Sequence, residues 1–147
     1  MKKVYLGADH AGFNLKEKIK PWLDTKNIKY HDLGALTFNP QDDYPDYAVA
    51  VAKQVAAEKT LGLLFCGSAQ GVCIAANKIK GIRAAVPFSL KEAKLSREHT
   101  DANVLCLSGW YTSLSQATKM IEVFLATHFS TAARHRRRVQ KIKRLER

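Results

Sequence analysis

Residues 61–78 read LGLLFCGSAQGVCIAANK, and this stretch decides the predicted fold. Leu61–Phe65 is an apolar run with the length of a buried strand, and it ends at Cys66. Gly67–Gly71 is small, polar and rich in turn formers, and Val72–Asn77 is typical of the first turns of a helix. The sequence therefore predicts a thiol at the carboxyl end of a strand, beside a loop that opens a helix.

This position of Cys66 suits chemistry on an anionic ligand. Open parallel sheets bind their ligands at the carboxyl ends of the strands. Backbone N–H groups of a loop that opens a helix, together with the helix dipole, favour an anion. The same field would lower the pKa of the Cys66 thiol and supply a thiolate as base or nucleophile. A buried structural cysteine beside an ordinary tight turn fits the residue types equally well.

Along the whole chain, short apolar runs alternate with segments of helical periodicity. The predicted strands are Val4–Ala8, Ile28–Leu33, Leu61–Cys66, Arg83–Val86 and Asn103–Leu107. The helical patterns cover Leu15–Leu23 (with Pro21 as a possible kink), Tyr47–Val55, Gly71–Lys78, Ser89–Glu98 (with Ser89 and Glu92 as a capping box), Ser113–Thr127 and Thr131–Arg144, and Asp9–Gly12 is predicted to be a loop. This alternation predicts one α/β domain over residues 1–147, with a parallel sheet covered by helices on both faces.

The composition is that of a globular protein without a membrane span. The chain has 147 residues, of which 46% are hydrophobic and 25% charged. No apolar run approaches the roughly 18 residues that a membrane-spanning helix needs, and the first residues lack the long apolar region of a secretory signal. The three cysteines, Cys66, Cys73 and Cys106, have neither a disulfide-framework nor a metal-ligand spacing. The expected location is therefore a reducing cytoplasm.

The net charge of +11 is concentrated at the end of the chain. Residues 134–147 contain eight Lys or Arg and one acid, Glu146, so that they carry +7 of the total. Clustered basic residues are the electrostatic footprint of nucleic-acid binding. No helix-turn-helix, zinc or RNA-binding signature accompanies this cluster. Nucleic-acid binding therefore stays a rival interpretation that the sequence does not favour.

Five segments, in order, resemble ribose 5-phosphate isomerase type B, in the family that also includes galactose and allose 6-phosphate isomerases. They are ADHAG near the start, DYPDYA, CGSAQGVCIAANKIKGIRAA, LSREHTDANVL and, near the end, RHRRRVQKI. The resemblance covers nearly the whole chain. It implies a Rossmann-like five-stranded parallel sheet and a homodimer or dimer of dimers with active sites at the subunit interface. It also implies an enzyme of the pentose phosphate pathway that interconverts ribose 5-phosphate and ribulose 5-phosphate through an enediolate, without metal or cofactor.

The resemblance assigns the catalytic roles to Cys66 as general base and to His99 in opening the sugar ring. Isomerisation needs a base that removes a proton next to a carbonyl, and the N–H groups of Gly67–Gly71 would meet the developing negative charge. Judged by its surroundings alone, His99 is typical of an exposed surface residue. The substrate-binding residues implied by the resemblance are Asp9, His10, Tyr44, Gly67, Ser68, Ala69, Gln70, Gly71, Thr100, Trp110, Arg134 and Arg138.

Several of these residues also have a simpler structural interpretation. Arg134 and Arg138 are four residues apart, so they share a helix face and could bind the substrate phosphate, with His135 assisting. The last helix is poor in large apolar residues and, as in the family, is expected to pack on another subunit. Asp9 equally suits a helix cap, and Tyr44 an aromatic lead-in to a helix.

Three positions depart from the family pattern. Ala69 stands where the family usually has Gly, Thr100 where it has Asn, and Trp110 where it has an Arg that contacts substrate. If position 69 requires a positive φ, Ala would cost about 1–2 kcal/mol. These departures leave a hexose 6-phosphate isomerase and a non-catalytic sugar-phosphate binder as alternatives, although Cys66 and His99 favour an enzyme.

Overall fold

A computed structural model describes residues 3–146, which contain one sheet of five parallel strands. The strands are β1 (Val4–Ala8), β2 (Tyr30–Asp32), β3 (Gly62–Cys66), β4 (Ala84–Ala85) and β5 (Val104–Ser108). They lie in the order β2-β1-β3-β5-β4, each parallel to its neighbours. The predicted α/β fold with a five-stranded parallel sheet is confirmed. Only β2 and β4 are clearly shorter than predicted, because each lies at an edge and pairs on one side.

Every predicted helix is present in the described residues. The helices are α1 (His10–Thr25), α2 (Tyr44–Glu58), α3 (Gln70–Asn77), α4 (Leu90–Thr100), α5 (Leu114–Ala126) and α6 (Ala133–Lys143). None of these helices is long and apolar enough to cross a membrane. Arg147, which was counted in the basic tail, lies outside the described residues. Pro21 lies inside α1, which continues past it without interruption.

Helix caps explain where the boundaries differ from the prediction. Asp9–Gly12 was predicted as a loop, but α1 already begins at His10. The Asp9 carboxylate accepts hydrogen bonds from the backbone N–H groups of Ala11 and Gly12, which stabilises the first turn. Ser89 caps α4 as predicted, by accepting a hydrogen bond from the Glu92 N–H.

The core lies on both faces of the sheet, because successive side chains of a strand point to opposite faces. Leu6 and Leu63 face a buried cluster formed with α1, α4 and α5. Tyr5 and Leu64 face the opposite cluster, formed with α2 and α3. The prediction of helices on both faces is therefore confirmed.

A fully buried lysine fastens α1 to the end of β2. Lys16 Nζ donates hydrogen bonds to Asp32 Oδ2 at 2.5 Å, to the Ala35 carbonyl at 2.7 Å and to Glu17 at 3.1 Å. Burial raises the pKa of Asp32, but hydrogen bonds from Lys16, the Gly34 N–H and a second lysine outweigh it and leave that pKa below its usual range. This network fixes the start of the loop that leads to α2.

We expect Lys16→Met to lower the free energy of unfolding by about 3–5 kcal/mol, because Asp32 would lose its buried cation. Lys18→Met, an exposed position on the same helix, is the matched control and should change stability by no more than about 0.5 kcal/mol. Urea unfolding of both variants measures the difference. Equal losses would show that the buried pair contributes little.

The pH dependence of that difference has a definite sign. A carboxyl group whose pKa is depressed by folding stabilises the protein above its unfolded pKa, and this contribution disappears as the pH falls through the folded value. The gap between the wild type and Lys16→Met should therefore narrow in acid.

Candidate active site

Three strand ends that carry polar residues meet at one edge of the sheet. The parallel register pairs Ala8 with Phe65 and Cys66 with Ser108. Neighbouring strands lie about 4.8 Å apart, so Asp9 emerges from β1 next to Cys66 at the end of β3. These residues therefore meet at the carboxyl edge of the sheet.

Two glycines let the backbones at this edge approach one another closely. A Cβ at Gly12 would lie 2.3 Å from the Phe65 carbonyl oxygen, and a Cβ at Gly109 would lie 2.2 Å from the Ala11 carbonyl oxygen. Backbone atoms of this kind cannot move aside as a flexible side chain can. The start of α1, the end of β3 and the loop after β5 therefore form one packed unit.

Hydrogen bonds tie the loop after β5 to the residues around the thiol. The Gly109 N–H donates to the Cys66 carbonyl at 2.8 Å, and the Trp110 N–H donates to the Gly67 carbonyl at 3.2 Å. The buried Ser108 hydroxyl donates to the same Gly67 carbonyl at 2.6 Å. These bonds fix the backbone on which the thiol is mounted.

The Cys66 side chain is buried, and the pKa of its thiol is shifted in the direction opposite to the prediction. Burial raises the pKa of the Cys66 thiol, and the nearby charge of Asp9 raises it further. Hydrogen bonds from the backbone N–H groups of Val72, Ala69 and Gly71 act in the opposite direction without cancelling the effect of burial. The expectation of a lowered pKa is therefore wrong for this chain, because desolvation outweighs the field of the loop.

The loop after Cys66 contains an alanine, Ala69, in a left-handed backbone conformation that is costly for any residue except glycine. Ala69 has a φ of 68° and lies at the N-terminal cap of α3. An L-residue in this region costs about 1–2 kcal/mol. Ser68 Oγ accepts a hydrogen bond from the exposed Gln70 N–H at 3.3 Å. The role of Val72, whose N–H also reaches the Cys66 sulfur, was not predicted.

Two aromatic rings lie against this loop. A Cβ at Gly71 would lie 2.4 Å from a Tyr44 ring carbon, and a Cβ at Gly67 would lie 2.5 Å from a Trp110 ring carbon. Both rings are largely open to solvent, with Tyr44 41% and Trp110 65% exposed. They border the loop that follows the thiol, and we call the space between these rings and the Asp9–His10 segment the cleft. Tyr44 is also the first residue of α2, as its simpler interpretation predicted.

The third wall of the cleft is an acid–histidine cluster. Asp9 is buried and caps α1, as its simpler interpretation predicted. His10 Nδ1 lies 2.7 Å from Asp42 Oδ1, and the same oxygen accepts the His10 backbone N–H at 3.0 Å. One side-chain oxygen or nitrogen atom of each of these three residues lies within 4.8 Å of the others. The hydrogen bonds of these residues account for the short distances. Asp42 was not predicted as a site residue.

The structure does not bring His99 to Cys66 within one chain. Helix α4 runs antiparallel to the strands, so His99, near its C-terminus, lies at the amino edge of the sheet. The five residues of β5 separate the two edges by about 13 Å. His99 stacks on His135, with ring centroids 4.2 Å apart. The neighbouring Thr100 hydroxyl donates to the Ser96 carbonyl of its own helix at 2.5 Å.

His135 and the two candidate phosphate ligands extend this second cluster. Burial, followed by the charges of His99, Arg134 and Arg138, lowers the pKa of His135. Its Nδ1 is buried and has no hydrogen-bond partner within residues 3–146. Arg134 and Arg138 are exposed on α6 and share a face, so their charges are available to an anion. The predicted site residues thus form two groups at opposite edges of the sheet.

Comparison with known proteins connects this geometry to a family. Residues 4–142 match the family described as Ribose/Galactose Isomerase. Ribose-5-phosphate isomerase B of Mycobacterium tuberculosis is 38% identical over 146 residues, which cover 99% of this chain and 90% of that protein.

Solved structures agree with the sequence match. Ribose-5-phosphate isomerase B of Mycoplasma genitalium, with bound ribulose-5-phosphate, has a TM-score of 0.92 and 43% identity, covering 97% of this chain and 95% of that one. The type B ribose 5-phosphate isomerase of Trypanosoma brucei has a TM-score of 0.94 and 40% identity, covering 99% of both chains. Because sequence and fold agree over nearly the whole length, the chain belongs to the ribose/galactose isomerase family of aldose–ketose isomerases.

Proposed function

We propose that this protein interconverts ribose 5-phosphate and ribulose 5-phosphate in the cytoplasm, with Cys66 as the general base. The observation that carries the proposal is a buried thiol at the end of β3, beside the loop that opens α3, whose Val72, Ala69 and Gly71 N–H groups act to lower its pKa. These N–H groups offset part of the effect of burial and would stabilise the thiolate once it forms, which a purely structural cysteine does not need. The names of the relatives, one of them solved with bound ribulose-5-phosphate, support the choice of substrate.

In this mechanism Cys66 removes the proton from the carbon next to the carbonyl. The electron pair of that C–H bond forms the enediolate, the hydroxyl proton moves from the second oxygen to the first, and the thiol returns its proton to the adjacent carbon, so that carbonyl and hydroxyl exchange places. A thiolate with a raised pKa is a strong base once it forms. Asp9, His10 and Tyr44 line the cleft and bind the phosphorylated sugar, while Ser68 and the surrounding loop face the developing oxyanion.

A second copy of the chain completes the site. His99, Arg134 and Arg138 cannot reach Cys66 of their own chain, because they lie at the other edge of the sheet. In a homodimer the amino-edge cluster of one copy would cover the carboxyl-edge cleft of the other, bringing the ring-opening His99 and the phosphate-binding arginines. Exposed apolar side chains on α3, α4 and beyond α6 offer surface for such a contact, among them Ile74, Leu90 and Leu145.

The rival functions lack comparable support. The names of the relatives favour a pentose phosphate over a hexose phosphate as the substrate. The retained Cys66 and His99 argue against a non-catalytic binder. The basic face of α6 is accounted for in part by phosphate binding and has no further feature of a nucleic-acid site.

We expect Cys66→Ala to lower kcat for ribose 5-phosphate by about 10²–10⁴-fold with the fold intact, because the base is removed. Cys73→Ala, a thiol outside the cleft, is the matched control and should remain active. The assay contains EDTA and compares kcat/KM for ribose 5-phosphate and allose 6-phosphate, and circular dichroism checks the fold. Full activity of Cys66→Ala would exclude the thiol as base.

The pH dependence of kcat/KM should follow the ionisation of the buried Cys66 thiol. Since burial raises the pKa of Cys66, the thiolate fraction and therefore kcat/KM should keep rising from neutral into alkaline pH. A steady-state profile with buffers of matched ionic strength measures this. A plateau already reached below neutrality would show that cations of the second copy overcome the effect of burial, or that another group is the base.

Hybrid dimers test the division of the site between two copies. Cys66→Ala and His99→Asn should each be inactive alone, but unfolding them together and refolding should restore about a quarter of wild-type activity, since half of the dimers then hold one intact site. Mixing Cys66→Ala with Cys66→Ser is the control and should restore none. Equal results in both mixtures would place Cys66 and His99 in one chain's site.

A further inference from the structure

Asp42 holds the histidine of the cleft by two hydrogen bonds to one oxygen. It lies in the loop between β2 and α2, and its side chain is 5% exposed. Asp42 Oδ1 accepts the His10 backbone N–H at 3.0 Å and lies 2.7 Å from His10 Nδ1. The two contacts fix both the start of α1 and the orientation of the imidazole.

This orientation determines what the rest of the ring can do. With Nδ1 bonded to the carboxylate, the opposite nitrogen, Nε2, points away from Asp42. The His10 side chain is 37% exposed, and within residues 3–146 no protein group bonds to Nε2. His10 follows Asp9, which lies next to Cys66 at the carboxyl edge of the sheet. Nε2 is therefore available to a ligand at this edge of the sheet.

We propose that Asp42 is a positioning residue for the isomerisation: it holds His10 with Nε2 as a hydrogen-bond donor toward the anionic group of a phosphorylated substrate in the cleft. This inference rests on the proposed function. Among the side chains placed around this cleft, Cys66, Tyr44 and Trp110 carry no positive charge and Asp9 is acidic. A protonated His10 thus supplies the cation on this side of the site.

The charged surroundings of His10 favour its protonated form. The hydrogen bond with Asp42 raises the pKa of His10, burial opposes this effect, and the charge of Asp9 adds to it. Burial raises the pKa of Asp42, but its hydrogen bonds, chiefly with His10, outweigh burial and leave it below the usual range. The Tyr47 phenol also faces Asp42, and burial, Asp42 and Asp46 raise the pKa of Tyr47, which therefore stays neutral.

The second carboxylate oxygen of Asp42 strengthens the argument. Asp42 Oδ2 is buried and has no hydrogen-bond partner by geometry within residues 3–146. A buried carboxylate is costly unless a partner balances it. The imidazolium of His10 is the charge that lies against it, so that each member of the pair favours the charged form of the other.

The test compares Asp42→Asn with Asp43→Asn. Asn keeps the size of the side chain and an accepting oxygen but removes the charge. Asp43 is the adjacent exposed carboxylate and its side chain makes no cap hydrogen bond, so it controls for a general loss of negative charge. The first readout is an NMR titration of the His10 ring, assigned with His10→Gln. The pKa of His10 should fall in Asp42→Asn and stay unchanged in Asp43→Asn.

The second readout is binding of inorganic phosphate, measured by calorimetry as a function of pH. Near neutrality Asp42→Asn should bind phosphate about tenfold more weakly, the loss of one charge-assisted hydrogen bond. A folded-state pKa that is raised keeps His10 protonated to higher pH, so wild-type affinity should decline at a higher pH than that of the variant. If the wild type and Asp42→Asn bound phosphate with equal affinity, and their affinities declined with the same pH midpoint, the proposal would be overturned.

Steady-state kinetics distinguish a positioning role of Asp42 from a purely structural one. Asp42→Asn should raise KM for ribose 5-phosphate about tenfold while kcat stays within about threefold, and the pH dependence of KM should move to lower pH. A merely structural loss would lower Tm and kcat without moving the His10 titration, and that result would also overturn the proposal. A wild type inactive on ribose 5-phosphate would refute the proposed function alone, since the NMR and phosphate readouts still decide the role of Asp42.

Discussion

The pairing of Cys66 with Ser108, at the ends of two adjacent parallel strands, is the constraint on which the site depends. It places the thiol under the loop after β5, whose N–H groups bond to the Cys66 and Gly67 carbonyls. Gly12 and Gly109 then allow α1 to close on the same edge through backbone contacts. The sulfur is buried as a direct consequence of this packing. The fold therefore sets the thiol's environment before any catalytic side chain is considered.

That burial has two opposing effects on the chemistry. It raises the pKa of the Cys66 thiol, so fewer molecules hold a thiolate at neutral pH, and the N–H groups of the loop offset this only in part. It also removes water that would otherwise solvate a thiolate at this position and weaken its basicity. The opposite edge of the sheet carries the complementary charges, Arg134 and Arg138, about one strand length away. A single chain thus separates the buried thiol from the cations that would favour its ionisation.

Local sequence patterns predicted the strands and helices, which depend on residues close together in the sequence. They missed the side-chain contacts between residues that are distant in the sequence. Apolar periodicity predicted every strand and helix, because each element buries a regular stripe of its own residues. Lys16, in contrast, appeared as one of several polar residues between apolar positions, although its amine is fully buried against Asp32. Asp42 and His10 are likewise far apart in sequence, and no spacing rule connects them. The separation of His99 from Cys66 was foreseeable, since the helix after a parallel strand returns to the sheet's amino edge.

At Ala69, the backbone conformation of the loop and the burial of the methyl group in the core have opposite effects on stability. Its φ of 68° costs about 1–2 kcal/mol relative to glycine. Its methyl group is fully buried in the cluster between the sheet and helices α2 and α3, and burying such a group stabilises by roughly 0.8 kcal/mol. The two effects are similar in size, so alanine is tolerated. In this conformation the N–H groups of Ala69, Gly71 and Val72 oppose the rise in the pKa of Cys66 that burial causes. The packing of one methyl group thereby compensates for much of the backbone strain in the loop beside the thiol.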